Sequence, residues 1–127
     1  MGNVLWVGVG GFIGSVLRYL LSGLVQEWTK REDFPVGTLA VNLVGCLIVG
    51  LLSQLAEARG AFTPETRAFI FVGILGGFTT FSAFGNETMN LWRDKETFLA
   101  FVNVASHVVL GLGMVWLGRV VGHKIWG

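Results

Sequence analysis

Four long apolar stretches constrain the fold of this chain more than any other feature of its sequence. They run from Val4 to Val25, from Phe34 to Ala56, from about Ala68 to Leu91 and from Phe98 to Val121. About 20 mostly apolar residues let a helix cross the roughly 30 Å hydrocarbon core of a bilayer. The sequence therefore predicts an all-α membrane protein in which residues 1–127 form a single domain of four transmembrane helices.

The composition agrees with this fold and excludes other classes of protein. Apolar residues make up 53% of the chain and charged residues 13%, and the net charge of +1 gives no basic face for nucleic acid. The single cysteine, Cys46, rules out an intrachain disulfide and is interpreted as a small buried apolar residue. Because the first residues lack a basic start and a cleavage site, we expect the first span to remain in the mature protein.

The basic residues that flank the spans are divided evenly between the two sides of the membrane. The four on one side are Arg59, Arg67, Arg119 and Lys124, and the four on the other are Lys30, Arg31, Arg93 and Lys95. An excess of Lys and Arg normally keeps one side in the cytoplasm, so this tie permits insertion in both orientations. Two copies in opposite orientations can then pair. On charge alone, it is equally well supported that another feature of the chain sets a single orientation.

The first span combines small residues with one charge. Gly10 and Gly14 form a small-xxx-small face, for which helix packing is favoured over ligand contact. Arg18 has two open interpretations: its long stem anchors it at the membrane surface, or it lines a vestibule that attracts anions.

One face of the second span is polar and small. Thr38, Asn42 and Gly45 are spaced at i, i+4 and i+7, which places them together on a helix. The Asn42 amide brings two N–H donors to membrane depth, where they need partners. For this face, a role in contact between helices and a role in lining a pore are equally supported.

The third span is predicted to be a broken helix. Gly76 and Gly77 precede the β-branched pair Thr79 and Thr80, and all four residues disfavour a continuous helix. A break at membrane depth is tolerated where the freed backbone is buried or lines a cavity, and such breaks direct carbonyls and amides at ions. An ion site is therefore favoured over a kink that only packs.

Two phenylalanines follow this break. Phe81 and Phe84 are spaced at i and i+3 and point the same way on a helix. Such pairs usually only pack, but the positive edges of aromatic rings can also meet an anion weakly, as a pore requires. Glu87, near the end of the span, suits a helix cap or a vestibule.

The fourth span carries Asn103 and His107 at i and i+4. A lone intramembrane histidine more often has a hydrogen-bonded structural role than a role in metal binding or proton transfer.

Together these residues resemble the Fluc (CrcB-type) fluoride channel family, and the likeness covers all four spans. The matching motifs are Gly10-Gly11-x-x-Gly14-x-x-x-Arg18-Tyr19, Gly37-Thr38-Leu39-x-x-Asn42-x-x-Gly45 and Gly73-x-x-Gly76-Gly77-x-Thr79-Thr80-Phe81-Ser82-x-Phe84. The resemblance implies an antiparallel, dual-topology homodimer in the bacterial plasma (inner) membrane. Its two pores would run along the subunit interface and export fluoride passively, which lowers the cytoplasmic fluoride concentration without enzymatic activity.

The resemblance also assigns roles to residues. The fluoride pathway would comprise Asn42, Phe81 and Phe84, together with Thr38, Ser82 and Arg18. His107 stands where the family commonly has a small hydroxylic residue, so either Ser106 or His107 itself would supply the polar group there. A structural sodium ion at the dimer centre would be held by the backbone carbonyls of Gly76 and Thr79 from each subunit.

Three alternatives are weaker. A small multidrug-resistance-type transporter, which is also a dual-topology dimer, needs a carboxylate in its first span, and residues 4–25 contain none. A membrane-embedded enzyme needs a nucleophile with a base, a carboxylate pair or a metal cluster at membrane depth, and the spans offer none of these. A non-transport membrane subunit leaves the Thr38 and Asn42 face and the broken third helix unexplained.

Overall fold

The computed structural model describes residues 2–127 and confirms the predicted all-α membrane fold. Within these residues, four helices are long and apolar enough to cross a membrane, namely Gly2–Thr29, Val36–Arg59, Pro64–Arg93 and Thr97–Trp126. The second helix begins at Val36 rather than at Phe34. Pro35 is the residue just before this helix, and its ring disfavours helical backbone at Phe34, the residue that precedes it.

The third and fourth helices are irregular. The third is built from Pro64–Arg67, the π-helical segment Ala68–Leu75, the short turn Gly76–Phe78 and the α-helix Phe81–Arg93. The fourth is built from Thr97–Ala105, the π-helical segment Ser106–Leu110 and Gly111–Trp126. The π-helical segment of the third helix is apolar and precedes the polar residues of that helix, whereas the segment of the fourth helix contains Ser106 and His107. Turns of this type are rare and often lie at functional sites.

The connectors are short and contain residues suited to helix ends. Lys30, Gly60 and Lys95 have φ values of 56°, 57° and 64°, and these left-handed residues follow the ends of the first three helices. Thr63 caps the start of the third helix, where its hydroxyl accepts a hydrogen bond from the backbone N–H of Thr66 at 3.2 Å. Because the connectors are only a few residues long, successive helices run in opposite directions.

Glycines allow the closest contacts between helices. A Cβ atom at Gly10 would lie 2.9 Å from the Cα of Gly73 in the third helix, and one at Gly14 would collide with the backbone carbonyl of Ile74. Gly10 and Gly14 are both buried, which confirms that they serve helix packing. The second and fourth helices come equally close around Gly118.

The charged residues group at the two ends of the bundle. Arg119 pairs with Glu57 at 3.1 Å, and Nε of Arg59 donates to the backbone carbonyl of Trp126 at 3.3 Å, so the second and fourth helices end on the same side. At the opposite end lies an open cavity of about 1000 Å³, the mouth cavity. Its lining includes Gly23, Lys30, Asp33, Glu87 and Asp94.

Most of the apolar surface faces outward. In each helix, only 11% to 28% of the most apolar stretch of 18 residues is buried. Within residues 2–127, Val41 and Asn103 are the largest fully buried side chains. The side chains of Phe81, Phe101 and Trp116 are 81%, 70% and 67% exposed. Apolar surface of this extent needs lipid or another subunit to cover it.

Candidate functional site

The third helix breaks at Thr79 and Thr80. Thr79 has φ and ψ of −87° and 156°, Thr80 has −149° and 118°, and the next helical segment begins at Phe81. These values are those of extended backbone, which the β-branched threonines prefer, and Gly76 and Gly77 weaken the turn before them. The predicted break near the middle of the third helix is confirmed.

Asn42 of the second helix closes this break. Its Oδ1 accepts a hydrogen bond from the backbone N–H of Thr80 at 2.9 Å, and its Nδ2 donates to the Thr80 carbonyl at 3.0 Å. One side chain thus replaces both partners that a continuous helix would give to Thr80. An unpaired backbone group at this depth would cost several kcal/mol, so Asn42 makes the break stable.

The break redirects the hydrogen bonds of the surrounding backbone. In a continuous helix the N–H of Thr80 would bind the Gly76 carbonyl, and the N–H of Ala83 would bind the Thr79 carbonyl. Here the first N–H donates to Asn42 and the second to the Thr80 hydroxyl, at 3.2 Å. The carbonyls of Gly76 and Thr79 therefore lose their usual helical donors.

Arg18 reaches the same break from the first helix. Its Nε donates to the Gly77 carbonyl at 3.0 Å, and the residue is half-buried. One nitrogen of the side chain is thus directed at the break in the third helix, a contact that spacing within the first span did not indicate. The Arg18 side chain also lines a cavity that is described below.

Four of the predicted pathway residues line one cavity, which we name the aromatic cavity. It has a volume of about 270 Å³, and its lining includes Asn42, Phe81, Phe84 and His107. The ring centroids of Phe81 and Phe84 are 5.5 Å apart, and those of Phe84 and His107 are 4.3 Å apart. Ser106 is not among the lining residues, so His107 is the polar side chain that the fourth helix gives to this cavity.

A second cavity, the polar cavity, adjoins the first. It has a volume of about 260 Å³, and its lining includes Arg18, Thr38, Thr80 and Glu87. The Thr38 hydroxyl donates to Oε1 of Glu87 at 2.8 Å, whereas Oε2 is buried and has no hydrogen-bond partner within residues 2–127. Glu87 lies inside the segment Phe81–Arg93, so the cap interpretation for this residue is wrong.

The predicted polar face of the second helix is confirmed. Thr38 binds Glu87, Asn42 binds Thr80, and a Cβ atom at Gly45 would meet the side chain of Thr79. The face is therefore turned towards the break and the helical segment that follows it.

Ser82 is the predicted pathway residue that stands apart. It is exposed, it lines neither cavity, and its hydroxyl lies 3.4 Å from that of Thr80. Thr80, in contrast, borders both cavities and was predicted only as part of the break. The sequence indicated that the Asn42 amide needs a partner, but it did not indicate that this partner is the backbone of Thr80.

A hydrogen-bond chain supports the aromatic cavity from the fourth helix. Nδ1 of His107 lies 3.0 Å from the Asn103 carbonyl, and Nε2 lies 3.0 Å from Nδ2 of Asn42. Asn103, which is fully buried, donates from Nδ2 to the hydroxyl of Thr88 at 2.9 Å. The i and i+4 spacing of Asn103 and His107 indicated their shared face, but nothing indicated Thr88.

The chain is similar to known proteins along nearly its whole length. Residues 5–119 match the family model described as CrcB-like protein, Camphor Resistance (CrcB). A protein of Methylobacillus flagellatus named fluoride-specific ion channel FluC is 45% identical over 118 residues, which cover 93% of this chain and 92% of that protein.

Further relatives carry the same name. The fluoride-specific ion channel FluC of Magnetococcus marinus is 45% identical over 97% of this chain and 99% of its own length. FluC 3 of Methanosarcina barkeri is 43% identical over 95% of this chain and 90% of its own length. Similarity of this extent covers all four helices, including the break within the third.

Proposed function

This chain belongs to the CrcB-like family, and we propose that it is a fluoride-selective channel through which fluoride leaves the cell passively. As a multi-pass protein of the bacterial inner membrane, it would lower cytoplasmic fluoride and so confer fluoride resistance. The observation that carries the proposal is the break at Thr80, which Asn42 holds open beside a cavity lined by Phe81 and Phe84. The names of the relatives supply the ion.

The order of the cavities supports a path for an ion along each subunit. The mouth cavity and the polar cavity share Gly23 and Glu87, and the polar and aromatic cavities share Thr80. An anion entering at the mouth would pass Thr38 and Arg18, then the break, then Asn42 and the two rings.

The chemistry of the aromatic cavity suits fluoride. Fluoride is small and strongly hydrated, so a pore must replace its water with other donors, such as hydroxyls, amide N–H groups and ring edges. These groups hold an anion less tightly than a fixed cation does, and an ion that must leave again needs this weak binding. No bond is made or broken, so the proposal includes no catalytic step.

The proposal includes an antiparallel homodimer. Phe81 is 81% exposed, so the aromatic cavity opens at the surface of the single subunit and needs a partner to close it. The division of the flanking Lys and Arg residues, four on each side, supports a partner in the opposite orientation.

Dual topology predicts that the C-terminus lies on both sides of the membrane. We expect a protease that is added outside sealed bacterial spheroplasts to remove roughly half of the C-terminal tags, because the charges do not favour either side. Three extra lysines after Gly127 serve as the matched variant and should bias the chain to one orientation. Complete protection or complete cleavage of the tag in the unaltered chain would exclude dual topology.

The proposal also includes a structural sodium ion at the dimer centre. The carbonyls of Gly76 and Thr79 lack their helical donors, and unwound carbonyls at the ends of half-helices are ligands for Na⁺ in membrane proteins. Residues 2–127 contain no group of three His, Cys, Asp or Glu side chains that could hold a metal, so backbone carbonyls are the fitting donors. A cation bound there would lower the electrostatic cost of an anion in the low-dielectric interior.

Sodium binding predicts a cation-dependent thermal stability. Replacing Na⁺ with K⁺ or N-methyl-D-glucamine in the detergent buffer should lower the melting temperature. At a concentration about 100 times its dissociation constant, a bound ion contributes about 2.7 kcal/mol. The effect should saturate with Na⁺ and should not respond to EDTA, which controls for divalent metals. Equal melting temperatures in Na⁺ and K⁺ would remove sodium from the proposal.

Fluoride efflux from liposomes tests the function itself. Purified protein in vesicles loaded with potassium fluoride should release fluoride rapidly to an external electrode once potassium can cross, whereas chloride-loaded vesicles should release no more than protein-free ones. Failure to release fluoride, or equal release of chloride, would overturn the proposal. Exchange of cationic drugs for protons would instead favour a multidrug-type transporter, which no observation presently supports.

A further inference from the structure

His107 lies at a distorted point of the fourth helix and lines the aromatic cavity. It belongs to the π-helical segment Ser106–Leu110, a type of turn that is often found at functional sites. Its ring packs on Phe84, and its two nitrogens meet Asn42 and Asn103. The imidazole therefore touches both the amide and one of the two rings that we assign to the fluoride path.

The partners of the imidazole define its tautomer. The Asn103 carbonyl can only accept, so Nδ1 of His107 must carry a hydrogen and donate it. The Asn42 amide is oriented by its two bonds to Thr80, which places its NH₂ group beside Nε2. An NH₂ group can only donate, so Nε2 of His107 accepts. The ring is thus neutral and in the Nδ1–H form.

This bond uses the last free donor of the Asn42 amide. One N–H of Nδ2 binds the Thr80 carbonyl and the other binds His107, while Oδ1 is occupied by the Thr80 N–H. His107 therefore holds the amide in place, but it also competes with an anion for the N–H that faces the cavity.

A proton on Nε2 would break the hydrogen bond between His107 and Asn42. An imidazolium has N–H groups at both nitrogens and cannot accept from Asn42. The Asn42 N–H is then released, and a second, charged N–H donor appears beside it. Both groups suit an anion in the aromatic cavity, because hydrogen bonds from charged donors are the stronger ones.

The groups around His107 do not offer a competing counter-ion. The second helix faces it with Asn42 and the thiol of Cys46, and the segment after the break faces it with Thr80 and Phe84. Its own helix contributes the Asn103 carbonyl.

Among the residues that line the aromatic cavity, none carries a carboxylate. The nearest carboxylate along the third helix is that of Glu87, which lines the polar cavity and accepts from Thr38. An anion in the aromatic cavity is therefore the natural partner of a protonated His107.

We propose that His107 is the positioning residue of the Asn42 amide, and that its protonation frees this amide and adds a donor, so that acid increases fluoride passage. The inference rests on the proposed function of the chain as a fluoride channel. It concerns a residue at which this sequence departs from the hydroxylic side chain common in the family.

The test is the pH dependence of fluoride efflux. We expect the rate, after subtraction of protein-free vesicles that leak hydrogen fluoride, to rise about threefold or more as the pH is lowered from about 8 to about 5, with the rise lying at the acid end of this range. His107→Gln keeps an acceptor for Asn42 but does not titrate, so it should conduct with a flat pH profile. His123→Gln, which alters the other, exposed histidine, should retain the rise.

Two results would overturn the inference. One is a flat or falling profile in the unaltered protein, and the other is a rise that persists in His107→Gln, which would assign it to another group such as Glu87. Nitrogen-15 NMR of histidine-labelled protein at about pH 8 tests the positioning role without transport. The signal that disappears in His107→Gln should be that of the Nδ1–H tautomer, and an Nε2–H signal would exclude the bond to Asn42 even if fluoride efflux were absent.

Discussion

Replacing Asn42 with alanine is expected to reduce fluoride efflux from proteoliposomes on the order of 100-fold or more. The substitution removes three hydrogen bonds, and two of them satisfy the backbone of Thr80. A buried backbone group left without a partner costs about 1–3 kcal/mol, and 1.4 kcal/mol corresponds to about tenfold in a rate or an equilibrium. The break would then lose its open geometry, and the path would lose its amide.

The measurement compares initial fluoride rates at equal protein density, after size-exclusion chromatography shows an intact oligomer. Asn86→Ala is the matched control, since it removes an amide from an exposed position in the helical segment after the break. This control should conduct like the unaltered chain. Wild-type rates in a well-folded Asn42→Ala protein would mean that the ion does not pass the break.

The two phenylalanines provide the second large effect. Phe81→Leu and Phe84→Leu keep an apolar side chain but remove the positive ring edge, so each should lower the fluoride rate by about tenfold or more. The two rings lie 5.5 Å apart along one cavity, so an anion would meet both. The fluoride efflux rate of the double variant should be no higher than the lower of the two single-variant rates.

Electrode recordings of the single and double variants check this expectation. Phe98→Leu, at the start of the fourth helix and 75% exposed, is the control for the loss of an outward-facing ring. If Phe81→Leu and Phe84→Leu transported fluoride like this control, the rings would act only in packing, and the path would have to run elsewhere.

The helices and the break were predictable because their causes are local. Apolar length identifies a membrane span, and adjacent glycines before two β-branched residues disfavour a helix in any surroundings. The shared face of Thr38, Asn42 and Gly45 follows from helical spacing alone. These features do not depend on which helix packs against which.

Partners across the bundle were not predictable in the same way. The direction of the Arg18 side chain depends on where the break of the third helix lies beside the first helix, and spacing within one span does not contain this information. The bond between His107 and Asn42 joins residues 65 positions apart, and the π-helical segment that contains His107 was not predicted. Glu87 was expected to act as a cap or to line a vestibule, and its bond with Thr38 of the second helix is a partner that its position in the third span does not predict.

The two-residue break has a further consequence, which concerns the dipoles of the helix. A continuous helix has a single negative end and a single positive end, far apart, whereas this break places the carbonyl end of one segment beside the amide end of the next. Residues up to Thr79 thereby create a negative pole, and those from Phe81 create a positive one. Ions of opposite sign can therefore be accommodated within one turn of a single chain, and any substitution that made the helix continuous would remove both poles together.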